Sequence, residues 1–418
     1  MDHNNITCIR GCYVNEKREI ISMFKLPPVS LPPEEGDRYL SLFKKALSGT
    51  PDKNLVEIPF ANEAVGVSDE HKLLTALRDT AITDDDMAEV FFQRVLAGRA
   101  PDYLIVQHME PDHSANINVF MARYPAARVV ASAKAFAMMR QFYGQDYAQR
   151  RVVVGEGDIL PLGKHTLSFV AAPMVHWPEV IVTYDAVDKI LYSADAFGKF
   201  GALDVDEPWD DEARRYYIGI VGKYGAQVQA LLKKAAALDI AAICPLHGPV
   251  LRENLAHYLH LYQCWSGYVP EVSGTVIACA SIYGHTWAAA QELTAQLRAS
   301  GRTVALYDLA RCDLPQAVAD AFRYDQLVLC SSTYNADVFP CMRAFIEHLA
   351  ERGYRNRTVA LVENGTWAPM AAKVMQRMLE SCKGLTYTEN TVRILSALND
   401  DSRAQIGVLE QELLVKAN

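Results

Sequence analysis

The chain has 418 residues, half of them hydrophobic and 22% charged, which marks a globular protein too long for one ordinary core. Its formal net charge is -9, with 41 Lys and Arg against 50 Asp and Glu and no basic run, so nonspecific nucleic-acid binding is not expected. Nine cysteines are scattered without a C-x-x-C, which excludes a disulfide framework, a rubredoxin-type iron site and a zinc ribbon. The polar start, Met1-Asp2-His3-Asn4-Asn5, lacks the order of a signal peptide, and no apolar run is long enough to span a membrane. A reducing cytoplasm is the expected compartment.

The first eighty residues say least. Pro27-Pro28 and Pro32-Pro33 mark a loop, and Asp37 to Ser48 places Leu40, Phe43 and Leu47 on one helical face. Thr83 before Asp84-Asp85-Asp86 reads as a helix N-terminus, with the helix ending near Gly98. The apolar run Tyr103 to Val106 reads as a buried strand, and His108-Met109-Glu110-Pro111-Asp112-His113 follows it. A lone His-x-Glu pair usually belongs to a polar loop in contact with water. Four ligand-type side chains in six residues, on a loop at a strand end, point instead to a metal, and the oxygen donors favour a hard one.

Short β-type runs recur at Arg128 to Ala131, Val152 to Val154, Leu167 to Ala171, Val180 to Tyr184 and Lys189 to Tyr192. Helices are expected at Ala133 to Tyr143, with Ser132 as N-cap, and at Glu212 to Leu238, which suggests an α/β layered domain. His176 and Asp195 each stand just past a strand, and His247 follows the run Ile240 to Ile243. Alone, each reads as a solvated histidine or a cap. Together with the first cluster they share one topological position, and such a set serves two metals, with Asp195 able to bridge. Three carboxylates crowded together repel one another unless cations are present.

Around Ser266-Gly267-Tyr268-Val269-Pro270 the pattern changes, and the domain boundary falls there: residues 1–265, with 1–80 atypical, then 271–418 as alternating strand and helix. The strand Thr275 to Ala280 leads through Ser281-Ile282-Tyr283-Gly284-His285-Thr286 into a helix from Trp287 to Ala299, an arrangement that cradles phosphate. Neither G-x-x-x-x-G-K nor G-x-G-x-x-G is present, which counts against a nucleoside triphosphate and NAD. Two more strands, Gln326 to Cys330 and Thr358 to Val362, end in Ser331-Ser332-Thr333-Tyr334-Asn335 and in Asn364-Gly365-Thr366-Trp367. All three loops lie where a doubly wound sheet binds its ligand, and Tyr334 and Trp367 offer flat faces for a flavin ring.

His-x-Glu-x-Asp-His, followed by His176, Asp195 and His247, resembles the metallo-β-lactamase fold, with Glu110 where a second histidine is common. That exchange adds a hard anionic donor and favours iron over zinc. The final third resembles flavodoxin; the resemblance implies FMN phosphate at Ser281 through Thr286 and the ring at Ser331 to Asn335 and Asn364 to Trp367. In this order the two modules are similar to a flavodiiron protein (A-type flavoprotein), from roughly Pro101 onward. His-Met-Glu-Pro-Asp-His-Ser, Ala-Pro-x-x-His-Trp-Pro, Asp-Ala-Phe-Gly and Cys-Pro-x-His-Gly-Pro carry the resemblance. The Tyr-Asn-Ser-Tyr pattern of that family is missing near Gly66-Val67-Ser68.

The resemblance implies an αββα sandwich and a doubly wound parallel sheet. It also implies reduction of dioxygen to water, nitric oxide to nitrous oxide, or both. His108, Glu110 and His176 would hold one iron, Asp112, His113 and His247 the other, with Asp195 bridging. Electrons would pass through FMN from an external donor, rubredoxin being the family expectation, in a head-to-tail homodimer or a dimer of dimers. The rival reading is a zinc-dependent hydrolase of the same fold with an accessory flavodoxin domain.

Overall fold

A computed structural model describes residues 12–14, 20–22, 96, 98–202, 205 and 207–416. The helix expected over Asp37 to Ser48 and the start of the one after Thr83 lie outside them. Of the latter, Leu96 is helical, and Gly98 has φ +77° where that helix was expected to end. By its internal contacts the chain divides into residues 1–155 with 201–207, and residues 156–200 with 208–418.

In the first unit, β1 (Cys12–Val14) and β2 (Ile20–Ser22) pair antiparallel. A parallel sheet follows, built from β3 (Tyr103–Ile105), β4 (Arg128–Ala131) and β5 (Arg151–Val153). Helices α1 (Pro111–Ser114) and α2 (Ile117–Arg123) join β3 to β4, and α3 (Ala133–Tyr143) joins β4 to β5. The α3 helix starts and stops where its sequence says: the Ser132 hydroxyl accepts the Ala135 N–H at 3.1 Å, and Gly144 closes it. Ala135, Phe136 and Met139 face inward and pack with Met109, Phe120, Met121 and Val129.

In the second unit, β6 (Ile159–Leu162), β7 (His165–Ala171), β8 (Ile181–Asp185) and β9 (Ile190–Tyr192) form an antiparallel meander, and β10 (Ala242–Cys244) adds parallel to β9. The single helix expected over Glu212 to Leu238 is two: α4 (Trp209–Ile220) and α5 (Gly225–Ala235), with a 3-10 turn at Gly222–Tyr224 between them. Packing explains the break. Helix α6 (Leu255–Gly267) presses on it so closely that a Cβ at Gly225 would lie 2.4 Å from the Ser266 carbonyl, while the Tyr268 hydroxyl donates to the Gly222 carbonyl at 2.9 Å.

The rest of this unit is a seven-stranded sheet. Its strands are β11 (Val272–Ala280), β12 (Val304–Asp308), β13 (Tyr324–Tyr334), β14 (Asp337–Val338), β15 (Thr358–Asn364), β16 (Thr386–Tyr387) and β17 (Val392–Ile394). The order β12-β11-β13-β15-β16, all parallel, is the flavodoxin-like winding, which reverses direction between β11 and β13. Helices α7 (His285–Ala299), α8 (Leu314–Arg323), α9 (Pro340–Glu351), α10 (Ala371–Met378) and α11 (Asp400–Val415) connect or follow the strands. Near-continuous apolar runs such as Val276 to Ala280 are what strands covered on both faces require.

One buried cluster extends from Val182 and Tyr217 to Phe345 and Leu361, so the meander and the seven-stranded sheet share a core. Two buried cations fasten it. Arg214, on α4, binds Glu271 through Nε and Nη2, and Asp211 at 2.8 Å; these carboxylates hold its pKa up against burial. Arg357 donates to the carbonyls of Phe322, Tyr324 and Tyr268, with burial lowering its pKa. Arg214→Met would leave the Glu271 carboxylate without its cation, with the Trp265 indole N–H still donating to it at 2.6 Å, and chemical denaturation should register a loss of about 3–5 kcal/mol.

Candidate metal centre and flavin cleft

The loop after β3 is organised by Met109, which is fully buried and turns inward while its neighbours meet outside it. His108 Nε2 lies 3.2 Å from Glu110 Oε2, His113 Nε2 lies 3.4 Å from Asp112 Oδ2, and the His108 and His113 rings stand 5.6 Å apart. Asp112 and His113, expected on a loop, are helical. They sit on the single turn α1, which Pro111 starts and whose first bonds run from the His113 and Ser114 N–H groups to the Glu110 carbonyl, both at 2.9 Å. The Ser114 hydroxyl donates to the Met109 carbonyl at 2.9 Å, and the Tyr143 hydroxyl donates to the Ser114 carbonyl. Four ligand-type groups of the first unit are thus brought together.

The second unit gathers the other three. His176 follows β7, Asp195 follows β9 and His247 follows β10, all at one end of the meander. Asp195, with a side chain 2% exposed, turns one carboxylate oxygen to each imidazole: Oδ2 is 3.0 Å from His176 Nε2, and Oδ1 is 3.8 Å from His247 Nε2. Its loop holds an unusual backbone, with Ala194 at φ +51° and Phe197 at φ +66°. Local bonds support that path, from the Ser193 hydroxyl to the Ala196 carbonyl at 2.7 Å and from the Gly198 N–H to the Asp195 carbonyl at 3.1 Å. Phe197 stacks on Tyr262 at 4.1 Å and donates its N–H to that hydroxyl, whose own pKa burial raises.

Sequence reading missed Tyr262, which lies inside α6 far from any motif, and missed why Gly198 stands where it does. A Cβ there would come within 3.0 Å of the Asp195 carbonyl oxygen, 3.1 Å of the Tyr216 ring and 3.3 Å of His247 Cβ. The word Asp-Ala-Phe-Gly contained the signal, but only the packing gives its reason. A third cluster, His165, Asp185 and Asp188, sits at the opposite end of β7 and β8, where Asp185 accepts from the Val187 N–H at 2.9 Å and pairs with His165 at 2.7 Å.

The expected phosphate loop runs from the end of β11 to α7, which starts at His285 rather than Trp287. Gly284, at φ +88°, occupies the N-cap position and donates its N–H to the Ser281 hydroxyl at 3.1 Å. Thr286 is buried and its hydroxyl meets that of Ser332 at 2.8 Å, tying this loop to the next. Ser331 to Tyr334 are the end of β13 rather than loop. The turn lies at Asn335-Ala336, both with positive φ, as a two-residue hairpin to β14 requires.

Before the third loop, Asn364 is the last residue of β15 rather than loop, and it uses both ends of its amide on Ser396, accepting its N–H at 3.2 Å and donating to its carbonyl at 2.9 Å. Thr366 and Ser396 meet through their hydroxyls at 3.0 Å. Leu395-Ser396, after β17, therefore form a fourth side of this end of the sheet, one that no sequence motif announced. Thr333 Oγ1 accepts from the N–H groups of Met370 and Ala371, and Gly365 N–H donates to Ile394. Polar groups thus fasten the loops to one another while the rings stand outside: Trp367 is 90% exposed, Tyr283 88% and Tyr334 51%.

The fold and the sequence both have known counterparts. A family model described as ODP family beta lactamase matches residues 88–248, and one described as a domain of unknown function (DUF4317) matches residues 1–110. Diflavin flavoprotein A 1 of Synechocystis sp. is 33% identical over 227 residues, 52% of this chain and 39% of that protein. The nitric oxide reductase of Moorella thermoacetica is 27% identical over 292 residues, 68% and 72% of the two chains. The first curated relatives are longer, the matches covering 39% and 42% of them, so the chain spans less than half their length.

Among solved structures, the flavodiiron protein from Giardia intestinalis superposes with a TM-score of 0.71 at 23% identity, over 78% of this chain and 84% of that one. Rubredoxin oxygen:oxidoreductase from Desulfovibrio gigas gives 0.69 at 24% identity, over 75% and 80%. The architecture is α/β, with a metallo-β-lactamase-like portion and a flavodoxin-like one. The chain is thus similar in fold to the flavodiiron proteins and in sequence to diflavin flavoproteins and a nitric oxide reductase.

Two substitutions test the Asp195 loop. Gly198→Ala should cost about 1–3 kcal/mol of stability, because backbone on one side and a buried ring on the other leave the methyl no room. Tyr262→Phe should cost about 1–3 kcal/mol by leaving the buried Phe197 N–H without its acceptor, while the stacking ring survives. Urea denaturation of both variants beside the parent measures these losses.

Proposed function

We propose that the protein is a flavodiiron oxidoreductase, reducing dioxygen to water, nitric oxide to nitrous oxide, or both, with electrons passed through FMN from an external donor. The observation that carries this reading is the carboxylate of Asp195, buried between two imidazoles with one oxygen turned to each. A bridging carboxylate serving two cations needs that geometry. Within the other unit, His108 with Glu110, and Asp112 with His113, form two matching ligand pairs.

The donor set fits iron. Its carboxylates and imidazoles suit a hard, redox-active cation, and the described ligand groups include no thiolate to draw zinc or copper. His108, Glu110 and His176 would hold one iron, Asp112, His113 and His247 the other, and Asp195 both. The loops at the end of the parallel sheet fit FMN: the Gly284 turn opens a fifteen-residue helix toward an anion, and three exposed rings offer it walls. When bound, the irons supply Lewis acidity and the flavin single electrons. The protein's own part is to hold its ligand side chains at fixed separations and to orient the flavin ring by its aromatic walls.

Several companions of this reading are proposed with it. The domain limits are 1–265 and 271–418. The donor is rubredoxin, as the name of the rubredoxin oxygen:oxidoreductase from Desulfovibrio gigas says for that enzyme. The working form is a head-to-tail homodimer or a dimer of dimers in the cytoplasm, with the flavin of one subunit serving the irons of the other. No helix among the described residues is long and apolar enough to cross a membrane.

Purified protein should carry two irons and one FMN per chain, and the anaerobically reduced enzyme should be reoxidised in stopped flow by dioxygen or by nitric oxide. Asp195→Asn should lower iron content and reoxidation rate by at least tenfold while the flavin absorbance remains. A preparation with zinc, no flavin and esterase or phosphodiesterase activity would sink the proposal in favour of the hydrolase. Turnover per chain should fall on extreme dilution, and a rate independent of concentration would remove the dimer.

A further inference from the structure

The three candidate ligands of the second unit are held unequally. The side chains of His176 and Asp195 are 9% and 2% exposed and meet at 3.0 Å, whereas that of His247 is 34% exposed and stands 3.8 Å from Asp195. The backbone around His247 is fixed, since the Leu246 N–H donates to the Ala194 carbonyl at 2.8 Å and Ile243 bridges Leu251. Backbone bonds do not set the torsions of an imidazole, so the ring needs lateral support.

Tyr216 provides it. Its ring lies 5.5 Å from that of His247, tilted by 52°, and the Tyr216 ring and the His247 Cβ both crowd the space above Gly198. Tyr216 is buried and is itself braced: Phe200 meets it edge-on at 5.1 Å, and the Arg215 guanidinium covers Phe200 at 5.1 Å. Arg215 binds Glu212 at 2.6 Å and reaches Asp313, the N-cap of α8, at 3.0 Å. The next residue back, Arg214, is the buried cation clamped by Glu271. Tyr216 therefore stands on a helix pinned by two neighbouring ion pairs, a rigid backing for a ligand on a half-exposed loop.

We propose that Tyr216 is a positioning residue whose ring fixes the orientation of His247 and thereby sets the affinity of the metal ion that His247 binds. This rests on the di-iron reading above and goes beyond it in dividing the two metal positions. The ion held through His247 depends on the Tyr216 ring, whereas the other is held through His176, which meets the buried Asp195 at 3.0 Å and the edge of Trp177 at 6.2 Å. Groups that orient a ligand commonly change metal affinity ten- to a hundredfold when removed, roughly the range expected here.

The test is anaerobic titration of the full metal-free chain with Co(II), read by its visible absorption bands and by metal counting. Tyr216→Phe keeps the ring and should bind two ions with affinities within about twofold of the parent. Tyr216→Leu should weaken one ion by about tenfold or more and leave the other unchanged. In a His247→Ala background, Tyr216→Leu should add no further loss at that ion. Tyr217→Leu, which removes the neighbouring buried ring, should lower the melting temperature and leave both Co(II) sites intact. Should Tyr216→Leu fail to fold, Tyr216→Met makes the same comparison.

Unchanged affinities in Tyr216→Leu, equal losses at both ions, or a loss in Tyr216→Phe as large as in Tyr216→Leu would each overturn the inference. A parent chain that binds fewer than two ions would overturn the di-iron reading itself, a result distinguishable from failure of the Tyr216 variants alone.

Discussion

A carboxylate withdrawn from water demands compensation, and Asp195 is the group around which the second unit arranges it. Desolvation of an ionised carboxyl costs several kcal/mol unless hydrogen bonds or cations answer it. The chain supplies an imidazole to each oxygen, a left-handed backbone on both sides of the residue, and a tyrosine hydroxyl to receive the loop's Phe197 N–H. Such strained, buried polarity is retained where it serves a site. The arrangement makes sense of Gly198, of Tyr262 and of the closeness of Tyr216 to His247, none of which a simple core would need.

The flavodoxin-like end follows a different rule. Its loops are tied to one another by hydrogen bonds, through Thr286 with Ser332, Asn364 with Ser396 and Thr333 with the start of α10. The result is a stiff rim from which Tyr283, Tyr334 and Trp367 project into solvent. Large aromatic surface left in water is unfavourable by itself, and a flat ligand that covers it recovers that cost. The rigidity of the rim favours binding, because few torsions remain to be frozen.

Between these two ends lies a shared core with buried arginines, and it bears on how the parts behave together. Arg214 joins α4, which carries Tyr216, to the start of β11, and Arg357 joins the Tyr268 segment to β13. The helix α4 is thus joined to the sheet by hydrogen-bonded charges as well as by the shared apolar core.

Much was legible in the chain itself. Strand ends, donor types, the Ser132 cap and the alternation of strand and helix are local, and local chemistry repeats from one protein to the next. So Arg128 to Ala131 and Ala133 to Tyr143 fall where the residues placed them. What the residues could not show were distances between segments far apart in sequence. The break between α4 and α5 arises from contact with Ser266 and Tyr268, and the extension of β13 through Tyr334 from pairing with β14. The roles of Ser396, Tyr216 and Tyr262 depend on neighbours dozens of residues away. Sequence alone determined which groups could bind and at which ends of which strands they stand, because those follow from residue chemistry and periodicity. Tertiary structure alone decided which ring supports His247 and which amides are already engaged, because packing is a property of pairs that no single segment carries.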